Sequence, residues 1–266
     1  MLESIQGSLA VNSLMTGREE VVALDRGEDP TAVQEEIRDL EINQVPVLDN
    51  GDVIGLMIAD TKNRALPEDG SYEPIAPKWL VSADTSIRRL IDILDDERHP
   101  ARFIFQENEV VGLVTYADLN DAVARTALYL LISRLEIKLA RLLRQHEKDS
   151  WAYVQHLSER RQNRFAKLKE EMTEKDVAHD PIEHFNLSDI FRAVRNEQAL
   201  REELGFPSKN KFDGATSGII DMRNDVAHSV KLVVDDIDGI AAVNRRCGRI
   251  EELLSRAPSY PVQRAP

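Results

Sequence analysis

A single cysteine, Cys247, stands in 266 residues. One thiol excludes an internal disulfide and a Cys-pair zinc site, and it suits a reducing compartment, so the chain is expected to be cytoplasmic. No apolar run approaches the 18 residues of a membrane span, and no basic-then-apolar leader opens the chain, so no membrane association is expected. Metal ligands are equally sparse. His179 and His184 lie in a loop-like stretch, residues 178–186, without further ligands, and no metal site is expected. Aromatic residues make up only 5%; Trp151 and Phe165 read as core anchors rather than as platforms for bases. A basic excess is also lacking. The net charge of −13 argues against a bulk nucleic-acid-binding protein.

The charge is unevenly divided. Residues 1–124 hold 10 Lys and Arg against 25 Asp and Glu, a balance of −15, whereas residues 125–266 hold 24 against 22. A polyanion would therefore have to meet the second half. Basic residues gather there at Arg134, Lys138, Arg141, Arg144 and Lys148, and again at Arg160, Arg161, Arg164, Lys167 and Lys169. The first set rides a helix whose opposite stripe is Leu128, Leu135, Leu139 and Leu142. Arg160, Arg161 and Arg164 are candidate RNA contacts; a solvated helix face is the plainer alternative.

The most chemical stretch is Arg223-Asn224-Asp225-Val226-Ala227-His228. A fixed cation, an amide and an imidazole are what metal-free phosphodiester cleavage requires. Arg neutralises building phosphate charge, His moves the proton of a 2′-hydroxyl, and Asn orients either group. Spacing alone is weak evidence, since chance supplies Arg-x4-His about 0.5 times in this composition, and Arg141 to His146 repeats it. A helix C-terminal histidine favoured by the dipole is the bland alternative. Phe212, Ala215, Ile219, Met222 and Val226 step by three and four, predicting one helix over 211–230. On an ideal helix Asn224 and His228 lie about 40° apart, opposite that stripe, while Arg223 stands about 140° from His228. Either the helix ends near His228 or two copies of the chain pool their residues.

Arg-Asn-x-x-x-His at the end of a helix, in an all-helical segment, resembles the HEPN superfamily over roughly Ala124 to Ser255. The stretch from Leu187-Ser-Asp-Ile-Phe to Leu204-Gly-Phe-Pro-Ser, with a Ser cap and a Gly-Phe-Pro stop, is similar to the helix that precedes the motif there. The resemblance implies a helical bundle, commonly dimeric, and in many members a metal-independent endoribonuclease in which Arg223, Asn224 and His228 are catalytic. Other members bind partners without cutting RNA.

The first half carries an internal repeat. Val45-Pro-Val-Leu-Asp-Asn-Gly-Asp-Val-Ile-Gly-Leu-Met is two short β-type runs around an Asn-Gly turn, and Arg102-Phe-Ile-Phe-Gln-Glu-Asn-Glu-Val-Val-Gly-Leu-Val follows fifty-seven residues later. Amphipathic stretches precede both, from Thr31 to Leu40 and from Thr85 to Leu94, and the linker Pro67 to Pro77 joins the copies. The pattern resembles a tandem pair of CBS domains from Leu14 to about Ala122. Such pairs often bind adenine nucleotides between their sheets. The family's nucleotide motif, a Ser or Thr followed at three residues by Asp, is intact as Thr115-Tyr-Ala-Asp118, whereas the first repeat offers Asp60 with Met57 in place of the hydroxyl. One nucleotide site per chain is expected, built on Thr115 and Asp118; capping of a helix near Leu119 is the alternative.

The expected fold is therefore two domains: an α/β tandem CBS pair (a Bateman module) over residues 1–122, then an all-α HEPN-like bundle over 123–256, with a disordered tail at 257–266. A joining helix is expected over about Asp121 to Gln145. The expected function is a nucleotide-regulated, metal-independent HEPN endoribonuclease of toxin, stress-response or phage-defence type. Its partners would be an RNA substrate, a second copy in a homodimer, and an adenine nucleotide (AMP, ADP, ATP or an adenine-containing second messenger) as regulatory ligand; catalysis would need no cofactor. The alternative is a non-catalytic, nucleotide-sensing dimer whose helical domain recruits a protein.

Overall fold

The computed structural model describes residues 9–258 except 61, 98, 100 and 176–178, and at Glu97 the backbone only. The tail expected at 257–266 therefore lies, from 259 on, outside the described residues. The chain forms two compact units. Of the described residues, one holds those up to Ala127 together with Leu232–Asn244; the other holds Leu128–Lys231 and those from Arg245 on. The first unit thus takes in a late segment that a simple boundary at 122 leaves with the bundle.

The first unit is built from two four-stranded sheets. The strands are β1 (Thr16–Gly17), β2 (Leu24–Asp25), β3 (Gln44–Asp49), β4 (Asp52–Ile58), β5 (Glu73–Pro74), β6 (Leu80–Ser82), β7 (Ala101–Gln106) and β8 (Glu109–Thr115), with α1 (Gln34–Asp39) and α2 (Ile87–Glu97). Their orders are β2-β3-β4-β5 and β1-β8-β7-β6. Each copy runs strand, helix, hairpin, with the strand before the helix parallel to the first hairpin strand. The hairpins match pair for pair. Val47 faces Gly55 and then Leu48 faces Val53; Ile104 faces Gly112 and then Phe105 faces Val110. The same bulge, displaced by fifty-seven residues, passes over Ile54 and Val111. Asn50 (φ 51°) and Gly51 (φ 87°) both take the left-handed backbone that a two-residue hairpin turn demands.

Alternation sorts the side chains into two layers. Val45, Val47 and Met57 point to the face covered by Ile37, while Leu56, Ala101, Phe103 and Leu113 fill the space between the sheets with Trp79. The edge strands cross over. β1 precedes the first copy yet pairs with β8 of the second, and β5, from the linker, pairs with β4 of the first. Both glycines of the Gly-apolar-apolar pattern lie under these edges. A Cβ at Gly55 would stand 2.6 Å from the Glu73 carbonyl oxygen, and one at Gly112 would stand 2.5 Å from that of Thr16.

The second unit is helical. Helix α3 (Ala122–His146) begins in the first unit and continues here; it is followed by α4 (Glu159–Glu174), α5 (Leu187–Asn196), α6 (Gln198–Glu203), α7 (Lys209–Thr216), α8 (Ile219–Ala227) and α9 (Gly239–Arg256). The stripe Leu128, Leu135, Leu139 and Leu142 is buried, and Phe165 meets Phe185 edge-on, as Phe191 and Phe206 both meet Phe212. Two helical expectations need correction. The cap of α5 is Asn186, which forms a reciprocal capping box with Asp189, rather than Ser188. The expected single helix of 211–230 breaks at Ser217 and at left-handed Gly218 (φ 77°), and it ends at Ala227. A Cβ at residue 218 would be strained by that backbone and would press on the Arg246 side chain, 2.9 Å from its Nε.

The glycine fit yields a stability test. Gly112→Ala forces β1 away from β8 and should cost about 1–3 kcal/mol, the usual cost of overpacking, measured by urea unfolding. Gly214→Ala, in open space and without left-handed backbone, controls for an added methyl without a steric clash and should not destabilise.

Candidate functional site

Two groups of residues carry chemistry, one in each unit. The first is the turn after β8. Thr115 ends the strand, and Ala117–Asn120 form a short 3₁₀ turn instead of the helix start expected near Leu119. The Asp118 carboxylate folds back on Thr115: its Oδ2 accepts from the Thr115 amide at 2.5 Å and from the Thr115 hydroxyl at 3.1 Å, while Thr115 Oγ1 accepts from the Ala117 amide at 3.2 Å. Burial pushes the Asp118 carboxyl above the usual Asp range, and the Thr115 bonds oppose that rise. The predicted pair is thus brought together, half-buried, with Oδ1 as the carboxylate's second acceptor.

The first copy lacks this arrangement, and its register corrects the expected equivalence. Ile58 ends β4 as Thr115 ends β8, so Asp118 corresponds to Thr61, which lies outside the described residues, and Asp60 falls one place earlier. Asp60 closes a turn by accepting from the amides of Lys62 and Asn63. Between β4 and β5 the described residues form no helix, and a cavity of about 390 Å³ lies beside β4. Asp25, Glu28, Asp29, Glu68 and Asp69 line that cavity, a field that repels phosphate.

The second group is the end of α8. Ile219, Met222 and Val226 are buried, which turns Arg223 and Asn224 to the half-exposed side. Arg223 Nη1 donates to Asn224 Oδ1 at 3.4 Å. His228 is the C-cap residue, with extended backbone (φ −103°, ψ 99°) and an exposed ring; its amide donates to the Asn224 carbonyl at 3.1 Å. Because the helix ends before it, the 140° splay expected on a straight helix does not apply to His228. Glu136 of α3 supplies what sequence reasoning missed. Its carboxyl is pushed up by burial and drawn down by the charge of Arg223, so the motif cation has an acidic neighbour.

The basic helix α4 divides by role. Arg160 and Arg164 are exposed, while Arg161 binds Asp189, donates to the His184 carbonyl at 2.8 Å and lies 5.0 Å from the Phe165 ring centroid. Arg161 is therefore a structural cation of the bundle. His99 stacks on Trp79 at 4.1 Å, and His156 pairs with Glu197. Among the described residues no three His, Cys, Asp or Glu gather as a metal site, and no helix is long and apolar enough to cross a membrane.

Comparison with known proteins finds a family match over part of the chain. Residues 75–125 match the CBS domain family. The strand, helix, hairpin and acidic turn of the second copy all fall within that stretch. Solved structures similar to part of the chain include a functionally unknown conserved domain from Neisseria meningitidis MC58, at 18% identity, covering 43% of this chain and 79% of that one with a TM-score of 0.37. Another is the CBS domain of a bacterial CNNM/CorC family Mg2+ transporter in complex with ATP, at 17% identity, 48% and 92% coverage and a TM-score of 0.37. CBS domains of a Streptococcus pneumoniae transcriptional regulator are 18% identical, with 41% and 95% coverage and a TM-score of 0.35. No curated protein matches the chain. The chain therefore carries a CBS-type α/β region followed by a largely helical one.

Asp118 gives a pH test. A carboxyl raised by burial favours its neutral form in the folded state, so stability is greatest below the unfolded pKa and is lost as pH rises through the folded one. Asp118→Asn, which keeps an acceptor for Thr115, should be more stable than the parent at about pH 7.5. The gap should narrow as the pH falls through the folded pKa and close only below about 3, where the carboxyl is neutral in both states. Urea titrations across that range check it.

Proposed function

We propose that the chain is a nucleotide-regulated endoribonuclease in which the CBS pair is the sensor and the helical unit cuts RNA. The carrying observation is the Thr115–Asp118 turn inside a matched CBS domain, set in a chain whose other chemical constellation is the Arg223-Asn224-His228 helix end. The ligand is an adenine nucleotide. Asp118 Oδ1 accepts a ribose hydroxyl, and the Thr115 hydroxyl joins the turn amides near the phosphate. The first copy contributes little, because Ile58 stands in the place of Thr115.

In the helical unit the reaction needs no metal. The 2′-oxygen of RNA attacks the adjacent phosphorus and the bond from phosphorus to the 5′-oxygen breaks. The proton lost from the 2′-hydroxyl is replaced on the leaving oxygen, leaving a 2′,3′-cyclic phosphate and a 5′-hydroxyl. His228 moves the proton, Arg223 meets the charge on the phosphate, and Asn224 holds Arg223 in place. Support comes from the exposed His228 ring, the extended cap that frees it from the helix direction, and the Arg223–Asn224 contact. Arg160 and Arg164 remain as RNA contacts. The acidic neighbour of Arg223, Glu136, favours a second reading, in which the cation is balanced internally and the helical unit recruits a protein.

Incubation with total RNA separates the two. His228→Ala should lower cleavage roughly 10²–10⁴-fold with folding intact, and cleavage should persist in EDTA. A strict magnesium requirement, or an unimpaired variant, rejects the nuclease. Recovery on mixing Arg223→Ala with His228→Ala chains would show a site shared across a homodimer. On the sensor side, loss of a charge-assisted hydrogen bond of about 1.5–3 kcal/mol means that Asp118→Ala should weaken nucleotide binding at least about tenfold. Asp60→Ala should leave it nearly unchanged, as read by calorimetry with AMP, ADP and ATP.

A further inference from the structure

We propose that residues 232–244 form a coupling strap and that Asn120 is its joint, a positioning residue that sets His228 through the chain. The inference rests on the reading above. Asn120 is two residues past Asp118, in the same 3₁₀ turn. Its side-chain amide grips the strap by the backbone: Oδ1 accepts from the amides of Val233 at 2.7 Å and Val234 at 3.0 Å, and Nδ2 donates to the Val234 carbonyl at 2.7 Å. One asparagine thus satisfies three main-chain groups, as a neighbouring strand would. Val234 is buried beside it, and Arg125 Nε holds the turn from below through the Asn120 carbonyl at 2.8 Å. The far end of the strap is fastened too, by Asn244 Nδ2 to Asp95 Oδ2 at 2.9 Å on α2.

Only residues 229–232 separate this grip from His228, five steps with a reach of about 17 Å at full extension. Slack in that span is small. The Lys231 amide closes on the His228 carbonyl at 2.9 Å, and the Lys231 ammonium pairs with Asp225 at 3.5 Å. On the downstream side the chain leaves the strap as α9, whose Arg249 donates to the Ser217 carbonyl at 2.6 Å, at the residue before the Gly218 cap of α8. The motif helix is therefore tied at both ends to the two segments that emerge from the strap. A shift of the Ala117–Asn120 turn on ligand binding moves Val233 with it. That displacement passes along hydrogen-bonded backbone to His228, giving a ligand at Asp118 a route to the nuclease motif.

Amide hydrogen exchange on the full chain tests the strap. Without nucleotide, Asn120→Ala should speed exchange about tenfold or more at Val233 and Val234, and the loosening should spread to Lys231 and His228. Amides of α3 over Leu135–Leu143 should be unchanged, showing that the unit is still folded. Asn120→Asp keeps the two accepted bonds but turns the donated one into a repulsion between its carboxylate and the Val234 carbonyl, so protection at Val233 and Val234 should fall between that of Asn120→Ala and wild type. Loosening confined to Val233 and Val234, with Lys231 and His228 unaffected, overturns the proposal, as does a variant whose Val233 amide stays protected. With ATP as probe, wild type should show altered exchange at Lys231 and His228. Asn120→Ala should bind ATP within about twofold of wild type and lose that response; a response that persists in the variant also overturns the strap. Failure of ATP to bind wild type removes the sensor reading instead, and the nucleotide-free arm then decides the strap by itself.

Discussion

Main chain pressed against main chain over Gly55 and Gly112 sets the geometry of the α/β unit. Neither copy of the repeat completes its own sheet: the second takes its edge from β1, ahead of the first copy, and the first takes its edge from β5, in the linker. A side chain at either glycine would occupy the space of a neighbouring carbonyl. With the edges exchanged, Leu56, Phe103, Leu113 and Trp79 lie between the sheets and leave water together. The turn after β8 begins three residues beyond Gly112, so the placement of Asp118 descends from this close approach.

Polar groups differ in how fully the fold satisfies them. Arg161 and Asp189 are paired inside the bundle, and removing either partner would leave a buried charge, so that pair specifies structure rather than recognition. Asp118 is different. Its carboxyl is held by two bonds from one residue while burial works against its charge. Its protonation is therefore set by a balance between burial and the Thr115 bonds. In the helical unit the charge of Arg223 acts on Glu136, whose carboxyl burial pushes up and Arg223 draws down.

The repeat was legible because β-hairpins advertise themselves locally. Asn50-Gly51 names its turn type, and alternation in Val45–Met57 assigns faces without knowledge of the partner strand. Helix ends were less so. The apolar stripe from Phe212 to Val226 is continuous in sequence, yet the helix breaks where Gly218 takes left-handed backbone, which an apolar periodicity does not reveal. Asn186 rather than Ser188 caps α5, since the reciprocal bond from Asp189 is available only to the residue three places before it. The equivalence of Asp60 with Asp118 failed by one residue because it was drawn from residue type, whereas the strand register pairs Ile58 with Thr115.

What the sequence by itself determined about this protein is whatever depends on neighbours along the chain: the two-part division of charge, the duplicated hairpin, the Thr115–Asp118 pair and the polar triplet Arg223, Asn224 and His228. Only the tertiary structure decided the contacts that join distant stretches. The grip of Asn120 on Val233 and Val234 spans more than a hundred residues, and the field of Glu136 at Arg223 spans nearly ninety. Neither leaves a local pattern, because an asparagine in a turn and a glutamate on a helix are ordinary choices there. Their meaning comes from which backbone or cation the fold brings opposite them.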